Sequence, residues 1–245
     1  MAEGLRSLGF QVDEFLTLSK QETMAIISQY SGLILRSKFT LDAEFIESAS
    51  HLTFIARAGA GLDLIDLAAC QENNIHVFSA NEGNKDAVAE HVMGQLLTIA
   101  HHLNTADAEV RNGIWNREAN RGWEIHGKTI GIIGFGNMGQ ALCQRLLGFG
   151  VKILAYDKYA PSLDFPASLA QIFEEADILS LHIPLTSETR GLVTPSFIES
   201  FKKPILFINS SRGPISPLEP LLQGLRSGQI RGLALDVLPN EKLST

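Results

Sequence analysis

The sequence predicts an α/β protein: a doubly wound parallel sheet, with a second and smaller α/β unit before it. Three observations carry this. From Thr129 onward, apolar strand-like runs alternate strictly with helical stretches. Residues 1–80 alternate shorter strands and helices in the same way. The first of the later strands breaks into Gly134-Phe135-Gly136-Asn137-Met138-Gly139, a strand–turn–helix junction. The 245 residues are 45% apolar and 19% charged, an ordinary balance for a folded chain of one large or two small domains.

The first domain is placed at residues 1–80. A polar helix starts at Met1 with no strand before it. Strands are expected at Val12–Phe15, Leu33–Leu35, Leu52–Ile55 and Ile75–Val77, and helices around Lys20–Tyr30, Ala43–Ala49 and Leu64–Gln71. The second domain, residues 81–245, opens with one long amphipathic helix from Lys85 to Asn112. Val88, Val92, Leu96, Ile99, Leu103, Ala106 and Val110 recur along it at three- and four-residue steps. Such a stripe can bury against its own domain, the neighbouring one or a second copy, so residues 85–112 are a candidate homodimer face. Five strands then follow: Ile130–Ile133, Val151–Tyr156, Ile178–His182, Ile205–Asn209 and Leu233–Val237. Helices lie around Met138–Gly148, Leu169–Glu175, Pro195–Phe201 and Leu218–Arg226.

Open sheets of this kind bind ligands beyond the carboxyl ends of their strands. At the first such end, Gly134 permits a tight turn, Gly136 lets backbone approach a pyrophosphate, and Gly139 lets the helix pack closely. The helix N-terminus then offers free amides and a positive dipole end to the anion. The second strand ends in Asp157, about twenty residues on, where a carboxylate binds the two ribose hydroxyls of NAD and repels a 2′-phosphate. The alternative is a structural glycine turn with Asp157 as a solvated strand end. Later strand ends carry His182-Ile183-Pro184-Leu185-Thr186, Asn209-Ser210-Ser211-Arg212-Gly213 and Asp236. Pro184 removes an amide where a flat ring could lie, and Arg212 offers a planar fork of donors to a carboxylate.

A net charge of −7 disfavours nucleic acid and anionic membranes as partners. No apolar run reaches membrane-spanning length. Cys70 and Cys143 have no metal or redox spacing and read as reduced packing residues of a cytoplasmic protein. No metal site is expected.

Together these blocks resemble the D-isomer-specific 2-hydroxyacid dehydrogenases, over nearly the whole chain. Arg57-Ala58-Gly59-Ala60-Gly61-Leu62-Asp63 resembles that family's substrate-carboxylate loop, and Asn84–His91 the start of its interdomain helix. The resemblance implies a Rossmann-type NAD domain beside an incomplete, flavodoxin-like substrate domain. It implies NAD as cofactor and a small 2-hydroxy or 2-keto acid as substrate. Arg212 would clamp the carboxylate and polarise the C2 oxygen, Asp236 would lie near the nicotinamide, and Glu241 would support a catalytic histidine. The backbone amides around Ala58, Gly59 and Ala60 would hold the substrate carboxylate, with Arg57 nearby. Cofactor contacts would come from Gly134, Gly136, Asn137, Met138, Gly139, Asp157, His182, Pro184, Ser210, Arg212 and Asp236.

The chain departs from that pattern. The family's histidine falls beyond Thr245, and none of the seven histidines replaces it by motif; His182 reads as a structural residue beside the cofactor. The expectation is a chain truncated at both ends, with little turnover of its own. Among substrates, Arg36-Ser37-Lys38 and Arg57-Ala58-Gly59 point to 3-phosphoglycerate. Alternatives of the same fold are a non-enzymatic NAD-binding scaffold of corepressor type and a formate-type dehydrogenase.

Overall fold

Parallel strands form two separate sheets in the computed structural model, which describes residues 2–160 and 164–240. The chain divides into two units, Met1–Asn81 and Glu82–Thr245.

The first unit runs α1 (Ala2–Ser7), α2 (Lys20–Ile26), β1 (Gly32–Leu35), α3 (Ala43–Ser48), β2 (Phe54–Arg57), α4 (Leu67–Glu72) and β3 (His76–Ser79). Its sheet has the order β1-β2-β3, with Leu33 beside Ile55 and Ile55 beside Val77. Helix starts follow capping chemistry: Ser19 and Glu22 form a reciprocal box on α2, and Asp42 and Asp66 accept from the third amides of α3 and α4. Phe45, Ile46 and Ile55 are buried between the helices and the sheet.

Two expectations for this unit need correction. Strands expected at Leu52–Ile55 and Ile75–Val77 begin later, at Phe54 and His76. Val12–Phe15 is not a strand. A strand exists only through a hydrogen-bonded neighbour, and β1 pairs with β2 alone. Between β1 and residues 10–18 lies a groove of about 390 Å³, lined by Phe10, Val12, Phe15, Leu33 and Leu35 among others.

The second unit runs α5 (Lys85–Ala100), α6 (Leu103–Arg111), β4 (Thr129–Ile133), α7 (Asn137–Leu146), β5 (Lys152–Tyr156), α8 (Leu169–Glu175), β6 (Ile178–Leu181), α9 (Pro195–Glu199), β7 (Ile205–Asn209), α10 (Leu218–Ser227) and β8 (Ile230–Leu235). All five strands are parallel, in the order β5-β4-β6-β7-β8. The chain leaves β4 to one side for β5 and returns to its other side for β6, which makes the carboxyl end of β4 the switch point of the sheet. Every residue of β4, β6 and β7 is buried. One core joins α5 and α7 to Ile130, Ile132 and Leu206; the other joins α8, α9 and α10 to Ile133, Leu179 and Phe207.

The long helix expected over 85–112 is broken. His102 has a left-handed backbone (φ 52°) between α5 and α6. The Ala100 carbonyl accepts the Trp123 amide (2.9 Å), and Gly122 packs against the same carbonyl. α5 buries Ala89, Val92, Met93, Leu96 and Ala100 in its own unit, whereas α6 buries nothing and leaves Leu103 and Val110 exposed. β8 also ends earlier than expected, at Leu235, which pairs with Asn209 at the end of β7.

Phe207 is fully buried in the second core, so Phe207→Ala should cost about 3–5 kcal/mol in urea unfolding. Trp115→Ala, at a side chain 81% exposed, should change stability by less than about 0.5 kcal/mol.

Candidate functional site

At the switch point the backbone is held from both sides. The Gly134 amide donates to the Tyr156 carbonyl (2.8 Å), and the His182 amide donates to the Ile133 carbonyl (2.7 Å). Gly134 has φ 94°, and a β-carbon there would collide with the His182 carbonyl. A β-carbon on Gly139 would collide with the carbonyl of Gly134, so the helix leaves the turn at a distance only glycine permits. Gly136 differs: nothing lies within 4 Å of where its β-carbon would be. It is the N-cap of α7, and no side chain caps that helix. The first amides of α7 therefore stand at an open space, with the positive end of the helix dipole behind them.

Asp157 follows β5 and is tied to the turn. Its Oδ2 accepts the Phe135 amide and its Oδ1 accepts the Tyr159 amide, both at 2.8 Å. Each carboxylate oxygen keeps a further acceptor position. Asn137 and Met138 open α7, which starts one residue before the expected Met138.

After β6, His182 is half-buried, with its Nε2 2.8 Å from Ser180 Oγ. Burial pushes its imidazole down to about 4, so it is neutral near neutral pH. Thr189 Oγ1 donates to the Pro184 carbonyl (2.6 Å) and fixes the loop behind it.

After β7, buried Asn209 organises the loop. Its Oδ1 accepts the Ser211 amide (2.9 Å), while its Nδ2 donates to the Arg212 carbonyl (3.1 Å) and to Ser216 Oγ (2.7 Å). Ser211 Oγ donates to the Leu181 carbonyl (2.6 Å), tying this loop to the end of β6. Arg212 is half-buried and donates through Nη1 to the Ser211 carbonyl (2.7 Å). Ser210 Oγ is buried with no hydrogen-bond partner among the described residues. After β8, the Asp236 amide donates to the Asn209 carbonyl (3.0 Å), and Asp236 Oδ1 lies 3.1 Å from His91 Nε2. Asn209 and His91 shape the site, and the sequence reading gave neither a site role. Asn209 stood inside a recognised motif, but nothing in the sequence marks His91 as meeting Asp236.

The open space at Gly136, the uncapped α7 amides, the anchored Asp157 carboxylate and the orphaned Ser210 hydroxyl all fit a dinucleotide. Residues 93–245 match the NAD-binding domain of the D-isomer-specific 2-hydroxyacid dehydrogenases. The chain belongs to that family. It is 39% identical over 227 residues to a hydroxypyruvate reductase of Thermotoga maritima, covering 91% of this chain and 74% of that protein. It is 36% identical over 244 residues to a D-3-phosphoglycerate dehydrogenase of Rattus norvegicus, covering 97% of this chain but 46% of that protein. A D-lactate dehydrogenase of Aquifex aeolicus, solved with NAD and lactic acid, superposes with a TM-score of 0.81 at 26% identity, over 89% of this chain and 67% of that one. The chain thus spans less than half of the rat relative. The doubly wound sheet of the second unit is its NAD-binding domain, and the family is one of oxidoreductases.

The Arg57 loop lies in the first unit. Ala58 donates to the Leu35 carbonyl and Gly59 to the Arg57 carbonyl, both at 2.8 Å. Two of the three amides expected to hold a carboxylate are therefore already used; the Ala60 amide makes no backbone hydrogen bond among the described residues. The Arg57 guanidinium donates to the Arg36 carbonyl and Ser37 Oγ, and Lys38 donates to the Leu16 carbonyl. Glu241 lies outside the described residues. Among the described residues no group of three His, Cys, Asp or Glu side chains could hold a metal ion, and no helix is long and apolar enough to cross a membrane.

The low His182 value has a consequence for stability. The unfolded imidazole titrates near 6.5 and the folded one near 4, so acid favours the unfolded chain. This contribution is fully present above pH 6.5 and is lost as pH falls through about 4. Urea unfolding across that window should show a shallower acid loss for His182→Gln than for the unsubstituted chain.

Proposed function

We propose that this chain supports NAD-dependent hydride transfer at C2 of a small D-2-hydroxy acid. The observation that carries the reading is the glycine turn at the switch point, with an uncapped helix in front of it and Asp157 anchored beside it. Bound NAD supplies the hydride acceptor. The α7 amides and the backbone at Gly136 bind its diphosphate, and Asp157 accepts from the ribose hydroxyls. Pro184 and Ser210 line the nicotinamide side with His182, which stays neutral and moves no proton. Arg212 holds the substrate carboxylate and polarises the C2 oxygen. Asp236, one residue beyond β8, meets the nicotinamide amide, and Glu241 supports the proton-accepting group. In the first unit Arg57 shapes the carboxylate loop and the Ala60 amide is the donor left for the acid.

The substrate proposed from the cationic blocks is 3-phosphoglycerate, and the phosphoglycerate dehydrogenase relatives support it. The use of Lys38 on the Leu16 carbonyl favours the second reading, an unphosphorylated acid such as the hydroxypyruvate named for the Thermotoga maritima relative. The proposed homodimer contact narrows to α6 and the residues after it, where Leu103, Val110, Ile114 and Trp115 are exposed. Cys70 and Cys143 are buried free thiols, in keeping with a cytoplasmic setting.

Titration of NAD and NADP, followed by calorimetry, tests the cofactor site. NAD should bind more tightly than NADP. Gly136→Val should weaken NAD at least about tenfold while leaving the unfolding midpoint nearly unchanged, because nothing lies within 4 Å of the β-carbon position and the added side chain starts in the open space. Unaltered NAD affinity in that variant would contradict the site.

For the substrate, Arg212→Ala should weaken binding of hydroxypyruvate or 3-phosphohydroxypyruvate to the NADH-loaded chain about 10- to 100-fold, as expected for one lost charge-assisted pair. NADH affinity should change far less, and the keto acid bound more tightly separates the two substrate readings.

A further inference from the structure

Asp236 has a partner, His91, to which the sequence blocks gave no role at the site. His91 projects from α5, and its Nε2 lies 3.1 Å from Asp236 Oδ1. An imidazole nitrogen facing a carboxylate carries the proton. Gln95, one helical turn on, places its amide nitrogen 3.0 Å from the same Nε2. The Gln95 Oε1 is buried without a partner among the described residues; with the amide turned over, that oxygen shares the Nε2 proton with Asp236 Oδ1 and steadies the ring. The Asp236 backbone is fixed separately by its amide bond to the Asn209 carbonyl. Its second carboxylate oxygen has no partner among the described residues.

We propose that His91 is a positioning residue for Asp236, holding one carboxylate oxygen so that the other faces the amide of a bound nicotinamide. This rests on the dinucleotide reading given above. The constraint is rotational. Asp236 stands at the open end of the sheet, 45% exposed, where an untethered carboxylate would sample several rotamers and lose affinity for a donor in one fixed direction. His91, itself 52% exposed, selects one of them. Its effect should therefore be confined to the nicotinamide half of the dinucleotide, because the α7 amides and Asp157 act on the other half.

Calorimetric titration of the whole chain with NAD and with ADP-ribose, which lacks the nicotinamide, reads this directly. His91→Ala should weaken NAD by about two- to fivefold, the range of a half-exposed ion pair, and leave ADP-ribose unchanged. Unchanged ADP-ribose binding also shows that the variant is folded. His91→Gln, whose amide reaches the Nε2 position, should restore most of the NAD affinity. In an Asp236→Ala background the His91 substitution should add nothing. Equal NAD affinity with and without His91, or equal losses for NAD and ADP-ribose, would overturn the proposal while leaving the dinucleotide site standing. An unsubstituted chain that binds neither ligand would overturn both.

Discussion

The second unit depends on the passage of three backbones through one point at Gly134. The amide of Gly134 is bonded to the end of β5, and its α-carbon abuts the carbonyl of His182 at the end of β6. Any side chain would separate β4 from β6, and its positive φ would be strained for an L-residue. Because the chain departs to opposite sides of β4 at this level, the same contact that closes the sheet opens the crevice beyond it. Gly139 extends the constraint into α7, whose first turn presses on the Gly134 carbonyl. Packing and anion binding are thus set by the same few atoms.

Net charge does not do the work of recognition here. The chain is acidic overall, yet at the switch point it presents fixed dipoles, the form of charge suited to an anion. Uncapped amides at the N-terminus of α7 present the positive end. Arg145, in the last turn of that helix, complements the negative end and bonds Asp86 (2.9 Å) and Glu90 (3.3 Å) of α5. Asp157, the one acid beside the turn, is held by two backbone amides, so its orientation is set before any hydroxyl meets it. Fixed donors of this kind need little reorganisation when a ligand arrives.

The sequence disclosed the second unit more fully than the first for a physical reason. Strands buried on both faces are continuous apolar runs, and Ile205–Asn209 and Thr129–Ile133 stand out in any reading. The first unit has four-residue strands with half-exposed faces, so their starts slid by one or two residues. Val12–Phe15 has strand-forming residues and no ladder partner, a fact about neighbours that no local pattern contains. The break between α5 and α6 was hidden because apolar spacing continues from Ile99 to Leu103, while its cause, the Trp123 amide on the Ala100 carbonyl, lies twenty residues on. At the site, the glycine turn, Asp157 and the strand-end blocks were legible as motifs. The Asn209 network and the His91 contact were not, since they depend on which elements the fold brings side by side.

The strand-end loops are also joined to one another, and this bears on how the site keeps its shape. Ser211 bonds the carbonyl of Leu181, Asn209 bonds the Arg212 carbonyl, and the Asn209 carbonyl receives the Asp236 amide. The ends of β6, β7 and β8 are therefore linked, by the Ser211 hydroxyl between β6 and β7 and by a backbone bond between β7 and β8. Arg212 and Asp236 start from positions fixed to the same residue, Asn209, whose side chain is wholly buried. In the proposed reading, with Arg212 on the substrate carboxylate and Asp236 on the nicotinamide, a constant separation between them keeps hydride transfer aligned, since small displacements of reacting groups cost large factors in rate. Both residues are anchored to Asn209, Arg212 through the side-chain amide and Asp236 through the backbone carbonyl, and the Asp236 carboxylate is met by His91 from α5.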